Sequence, residues 1–217
     1  MHELKVLASA IAAVVMSSAT GSAAAALGVE VDFATGCTLL PGQGFNSGRL
    51  GFTKVMNSLG PCDLTITVTG IEPGGSADFE LIEGVRNDSA FNWQDFHHSL
   101  GYRRNGVFTR SGANDGVYFS ATPPKTGEHF VLSGQDDPLQ PNSLDWLVSG
   151  PDFAIGDTND FRFGLHISDV DEFGVRDNDG ITTFTLRQQA TIPEPGALSL
   201  WLLVSGAALL ASRRRRS

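Results

Sequence analysis

The stretch FRFGLHI, residues 161–167, carries an apolar side chain at every second position. Phe161, Phe163, Leu165 and Ile167 alternate with Arg162, Gly164 and His166. A period of two belongs to a strand with one face on a core and the other toward solvent. DLTITVT (63–69) and ITTFTLR (181–187) repeat the pattern and are rich in the β-branched residues that suit a pleated surface. Weaker strands are expected over 29–33, 49–55, 78–82, 92–100, 117–119, 129–132 and 144–148. Clusters of turn residues divide them: EPGG at 72–75, ANDG at 113–116, TPPKTG at 122–127 and DNDG at 177–180. Residues 138–151 read as an irregular loop around one short strand. Helical periodicity is scarce in the body. Many short strands with turns between them predict an all-β fold, an antiparallel β-sandwich. A jelly-roll-like arrangement is among those it admits, and strand order is not legible.

In residues 87–101, Phe91 and Trp93 share one parity while Phe96, His98 and Leu100 share the other. A β-bulge near Gln94 and Asp95 would bring both sets to one face.

The two ends differ from the body. MHELKVLASAIAAVVMSSATGSAAAALG has the three regions of a secretory signal peptide: Lys5, an apolar core over 6–16, and small residues through Ala23 to Ala26. Cleavage is expected near Ala26. At the other end stand Pro193, Glu194 and Pro195, then an uncharged apolar run over 196–211, then Arg213, Arg214, Arg215 and Arg216. The prolines keep the triplet extended. A helix over 197–212 would rise ~24 Å at ~1.5 Å per residue, short of a ~30 Å hydrocarbon core, so the expected transmembrane helix is a marginal one. The arginines cannot lose their charge and would hold the C-terminus in the cytoplasm. The expected organisation is a signal peptide at 1–26, a β-sandwich body at 27–192 and a sorting segment at 193–217.

The order of triplet, span and basic cluster resembles the PEP-CTERM sorting signal, the substrate class of exosortases. The resemblance covers 193–216. It implies that an exosortase, a membrane-embedded cysteine transpeptidase-like enzyme, cuts near Pro193-Glu194-Pro195 after signal peptidase has cut the front. The protein would be anchored in the inner membrane for a time, then released to the cell surface or the extracellular matrix. Proteins with this signal are typically linked to exopolysaccharide or biofilm. Two body segments, 87–101 and 184–195, also resemble stretches seen in exported β-sandwich bodies with such a tail.

Without the two targeting segments the body holds 10 basic and 22 acidic residues, a charge of −12 against −9 for the whole chain. That charge argues against nucleic acid or anionic lipid as a partner. The two cysteines, Cys37 and Cys62, are expected to form a disulfide in an oxidising compartment, worth ~3.5 kcal/mol on the loop-entropy account.

Candidate chemistry is sparse. His97 and His98 are adjacent, so a strand points them to opposite faces. His98 and His166 are the pair that could converge in space, and packed or surface histidines are the expected outcome. Asp169, Asp171, Asp177 and Asp179 supply hard oxygen donors of the kind calcium takes. Their loop fails the EF-hand pattern, because counting from Asp169 the fifth position is Phe173 and the twelfth is Gly180. The favoured reading of 168–180 is a polar hairpin turned by DNDG. Asn87-Asp88-Ser89 matches a glycosylation acceptor and is treated as chance. Trp93, Trp146 and Tyr102 would serve to stack on sugar rings if exposed. No nucleophile elbow, zinc-protease, P-loop or dinucleotide motif stands in a suitable context. The expectation is a non-catalytic surface or matrix protein without a cofactor, with calcium at Asp169, Asp171, Asp177 and Asp179 as the lesser alternative. A carbohydrate-binding module for exopolysaccharide is the second reading, and a polysaccharide hydrolase the third.

Overall fold

The computed structural model describes residues 26–112, 114–120 and 124–192. The expected signal peptide, apart from its last residue, and the whole sorting segment lie outside the described residues. Among the described residues fourteen strands follow in chain order. They are β1 (Gly28–Thr35), β2 (Thr38–Leu39), β3 (Gly44–Asn46), β4 (Arg49–Met56), β5 (Cys62–Thr69), β6 (Ser76–Asn87), β7 (Asp95–Arg104), β8 (Val107–Arg110), β9 (Val117–Phe119), β10 (Lys125–Thr126), β11 (Phe130–Gln135), β12 (Ser143–Val148), β13 (Thr158–Ser168) and β14 (Ile181–Thr191). Among the described residues no helix is long and apolar enough to cross a membrane.

The strands make two sheets, and the fold is an all-β sandwich. The first sheet runs β1-β5-β14-β7-β12-β11, with β8 paired to the far half of β7. The second runs β10-β13-β6-β4-β2, with β3 on β4 and β9 on β13. Every expected strand is present. The period-two runs extend further than the sequence pattern alone suggested: β6 and β13 pair continuously from Ser76 with Ser168 to Arg86 with Thr158.

The first sheet is antiparallel throughout, as expected, but the second contains one parallel pair, β4 beside β6. The cause is connectivity. From β4 the chain crosses to β5 in the first sheet and then returns to β6, so two reversals restore the original direction. The expected hairpin over 168–180 is not there. β13 belongs to the second sheet and β14 to the first, so the segment between them crosses the sandwich. DNDG does bend as its residues dictate, with Asn178 at φ 63° and Gly180 at φ 75°. Turn chemistry sets local dihedral angles; it does not choose which sheet the next strand joins.

Alternation makes the core. Leu64, Ile66 and Val68 of β5, Phe184 and Leu186 of β14, and Phe161, Phe163, Leu165 and Ile167 of β13 all point inward and are buried. Each such side chain contributes about 1.5–3 kcal/mol on burial. An aromatic cluster fills one end. Phe96 stacks on Trp93 with ring centroids 5.5 Å apart, and on Phe161 at 5.2 Å. The parity switch anticipated near Gln94 is real: Trp93 precedes β7 in a bridge to Phe153, and both Trp93 and Phe96 face inward. Phe91 does not follow them and is 50 % exposed.

Gly28 and Ile181 both pair with Thr69, whereas Thr191 pairs with Asp95 at the far end of the first sheet. The described chain therefore enters at one end of the sandwich and leaves at the other, from the end of a central strand. The disulfide between Cys37 and Cys62 is formed, with Cα atoms 5.3 Å apart, and ties the chain after β1 to the start of β5.

Candidate functional site

Lys54, Glu83, His98, Trp146 and Gln188 come together in the sandwich interior, and none is exposed. Lys54 and Glu83 project from the second sheet, on β4 and β6. His98, Trp146 and Gln188 project from the first, on β7, β12 and β14. Lys54 Nζ lies against Glu83 Oε1. Glu83 Oε2 accepts from His98 Nε2 at 3.1 Å and from Gln188 Nε2 at 3.0 Å. The indole Nε1–H of Trp146 donates to His98 Nδ1 at 2.8 Å.

This geometry fixes the imidazole. Trp146 Nε1 can only donate, so Nδ1 is an acceptor and Nε2 carries the single proton, which it gives to Glu83. Burial holds the His98 pKa below its ordinary value, and the hydrogen bond and charge of Glu83 oppose that only in part. His98 is neutral. Burial likewise lowers Lys54, against the pull of Glu83. For Glu83, burial pushes upward, but the charge of Lys54 and the His98 hydrogen bond outweigh it and hold the carboxyl below the usual range. Phe96, Phe161, Phe163 and Trp146 surround the imidazole at 5.0–6.0 Å between centroids. With no member reachable from solvent, the cluster holds the two sheets in register and offers no substrate a way in.

Sequence reasoning picked out His98 and Trp146 but passed over Lys54, Glu83 and Gln188. A signal was present. Lys54 lies at the inward parity between Phe52 and Met56, Glu83 between Leu81 and Val85, and Gln188 two residues after Leu186. A charged residue on the core face of each of two strands implies that they meet.

The other histidines sit elsewhere. His97 points outward, opposite to His98 as expected, with Nδ1 2.7 Å from Asp145 Oδ1. His166 lies on the outer face of the second sheet, with Nδ1 2.9 Å from Asp78 Oδ1 and its ring stacked on Tyr118. His98 and His166 do not converge, because alternation sends one inward and the other outward. His129 packs edge-on against Phe153. Trp93, Trp146 and Tyr102 are all buried, which removes them as platforms for a sugar.

The acidic loop separates into two parts. Asp169, Asp177 and Asp179 each bring an oxygen within 4.8 Å of the others. Asp171 stands apart and accepts from the backbone N–H groups of Phe173 at 2.8 Å and Val175 at 2.9 Å. Asp169 is fully buried. It accepts from Gly74 N at 2.7 Å and Gly180 N at 3.0 Å, so it clamps the turn after β5 to the turn before β14. Partial desolvation, then the charges of Asp179 and Asp169, raise the Asp177 pKa. Calcium takes about 6–8 oxygen ligands. Asp169, committed to backbone donors, is a structural clamp, and the three neighbouring carboxylates by themselves carry no assignment of an ion.

The Asn87-Asp88-Ser89 triplet is structural too. Asn87 Nδ2, buried, donates to the carbonyls of Phe91, Phe153 and Ala154 at 2.9–3.2 Å, while Ser89 Oγ accepts from Trp93 Nε1 at 3.0 Å. Pro193, Glu194, Pro195 and Arg213 to Arg216 lie outside the described residues. No protein-family model, characterised protein or solved structure matches the chain.

Proposed function

We propose that the chain is a non-catalytic exported protein of the cell surface or extracellular matrix, sorted and cut by an exosortase at Pro193-Glu194-Pro195. The observation that carries this reading is the order of the tail: triplet, apolar run, four arginines. Three features support it. β14 ends at Thr191, so the triplet begins two residues beyond a central strand of a folded body. The Cys37–Cys62 bond suits an oxidising compartment. The convergent cluster of Lys54, Glu83 and His98 is sealed from solvent among the described residues. Signal peptidase and the exosortase are its processing partners, and the inner membrane holds it in transit.

The test is processing in the producing cell. Replacing Glu194 and both prolines should leave a larger, uncut form, read by the intact mass of the protein from each cell fraction. Identical processing of the variant and the parent would refute the sorting reading.

A second reading, binding of exopolysaccharide, is favoured by one observation. Tyr118 and His166 stack at 4.6 Å between centroids on the outer face of the second sheet, beside Asp78. An aromatic face next to a carboxylate is the chemistry that holds a sugar ring. Glycan titration of the parent and of Tyr118→Ala decides it. Loss of binding in the variant supports the module, and no binding by the parent at millimolar glycan removes it.

A further inference from the structure

Lys54 and Glu83 stand on the neighbouring parallel strands β4 and β6, both fully buried. The two oxygens of Glu83 are not equivalent. Oε2 is held by His98 and Gln188. Oε1 faces Lys54 Nζ, and beyond this mutual contact neither atom has a hydrogen-bond partner among the described residues. A buried ion pair recovers its desolvation cost only when its remaining protons and lone pairs are satisfied. Here the ammonium and the oxygen beside it are both left short. Phe96, 5.5 Å from Nζ, offers only a ring face.

We propose that Lys54 and Glu83 condense into an intramolecular amide cross-link inside the folded sandwich. The bond formed is Nζ–Cδ and the bond broken is Cδ–Oε1. Of the three ammonium protons, one stays on the amide nitrogen and two leave with Oε1 as water. One positive and one negative charge disappear together, so no co-reactant is needed. The free amine arises when Nζ passes a proton to Oε1, which also turns that oxygen into a leaving group. Burial works in the direction of this step, because desolvation disfavours both charged forms, while the Lys54 charge and the His98 hydrogen bond oppose it by holding the Glu83 carboxyl low, so the reaction is slow.

Oε2 is the oxygen that remains. The tetrahedral intermediate places negative charge there, and two preformed donors, His98 Nε2–H and Gln188 Nε2–H, already point at it. Trp146 keeps His98 in the tautomer that donates. The product removes Oε1 and both charges, and cuts the donors on Nζ from three to the single amide N–H. The link spans residues 54–83 and interlocks with the disulfide, whose loop spans 37–62. The inference stands independently of how the chain is sorted.

Trypsin reads it directly on the full chain. Arg49, Lys54 and Arg86 are consecutive tryptic sites. An unlinked chain, reduced and alkylated, releases the peptides 50–54 and 55–86. The linked chain resists cleavage after Lys54 and gives a single peptide, 50–86, lighter by one water. Protein held folded at neutral pH for days should give the single peptide, and Gln188→Leu should accumulate it at least about tenfold more slowly, as expected for loss of one oxyanion donor. Clean release of both short peptides from the folded parent would overturn the proposal. Equal linkage in a chain kept unfolded in urea would overturn its assignment to the folded interior.

Discussion

His98 Nε2 stands 3.1 Å from Glu83 Oε2, joining β7 of one sheet to β6 of the other through the middle of the core. Hydrophobic contact between sheets is tolerant of sliding. A directional bond is not, and an offset of one residue would turn His98 outward. Polar pairing therefore specifies how the sheets face each other, while the surrounding aromatics supply most of the stabilisation.

Acid should weaken the fold through His98. Its pKa in the folded protein lies below the ordinary 6.5 because burial disfavours the imidazolium. The unfolded chain therefore takes up a proton first as the pH falls. The His98 contribution is fully present above pH 6.5 and is lost as the pH drops below it toward the folded value. Urea midpoints measured between about pH 7 and about pH 5 should fall, and His98→Gln should flatten that slope. An unchanged slope in the variant would mean that His98 is not the group responsible.

Trp146→Phe keeps the ring but deletes the indole donor. His98 Nδ1 would be left buried without a partner, a cost of about 1–3 kcal/mol. Denaturant unfolding of the variant should show a lower midpoint with an unchanged m-value.

Gly101→Ala should strike the β7–β8 hairpin. A Cβ there would fall on the Thr109 carbonyl oxygen and within 2.8 Å of the Phe108 ring. Because β8 packs back over this point, the substitution should cost about 1–3 kcal/mol or more. Faster amide exchange confined to β8 would show that the hairpin end lifts before the sandwich opens.

Asp169→Ala removes the acceptor for two backbone donors, Gly74 N and Gly180 N. A loss of about 3 kcal/mol is expected, since hydrogen bonds to a charged group exceed neutral ones. Thermal melting checks it. A midpoint within error of the parent would show that the clamp contributes little.

Breaking the Cys37–Cys62 bond, by Cys37→Ser with Cys62→Ser, should cost ~3.5 kcal/mol, because the loop it closes is freed in the unfolded chain. Cys62 is fully buried, so its replacement by serine adds the burial of a hydroxyl to that loss.

The sequence by itself determined the strands and their inner faces. In 161–167 the alternation of Phe161, Phe163, Leu165 and Ile167 depends on neighbouring residues alone, because a pleated chain must send successive side chains to opposite sides. The turns at Gly74, Asn178 and Gly180 were legible for the same local reason. The tertiary structure alone decided which strands became neighbours: β14 between β5 and β7, β4 parallel to β6, and the 168–180 segment crossing between sheets where a hairpin was expected. It also decided the meeting of Lys54, Glu83, His98 and Gln188. These residues lie on four strands far apart in the chain, and their convergence depends on long-range pairing that no local pattern encodes. A single charged residue at an inward parity signals a partner; only the packed sandwich names it.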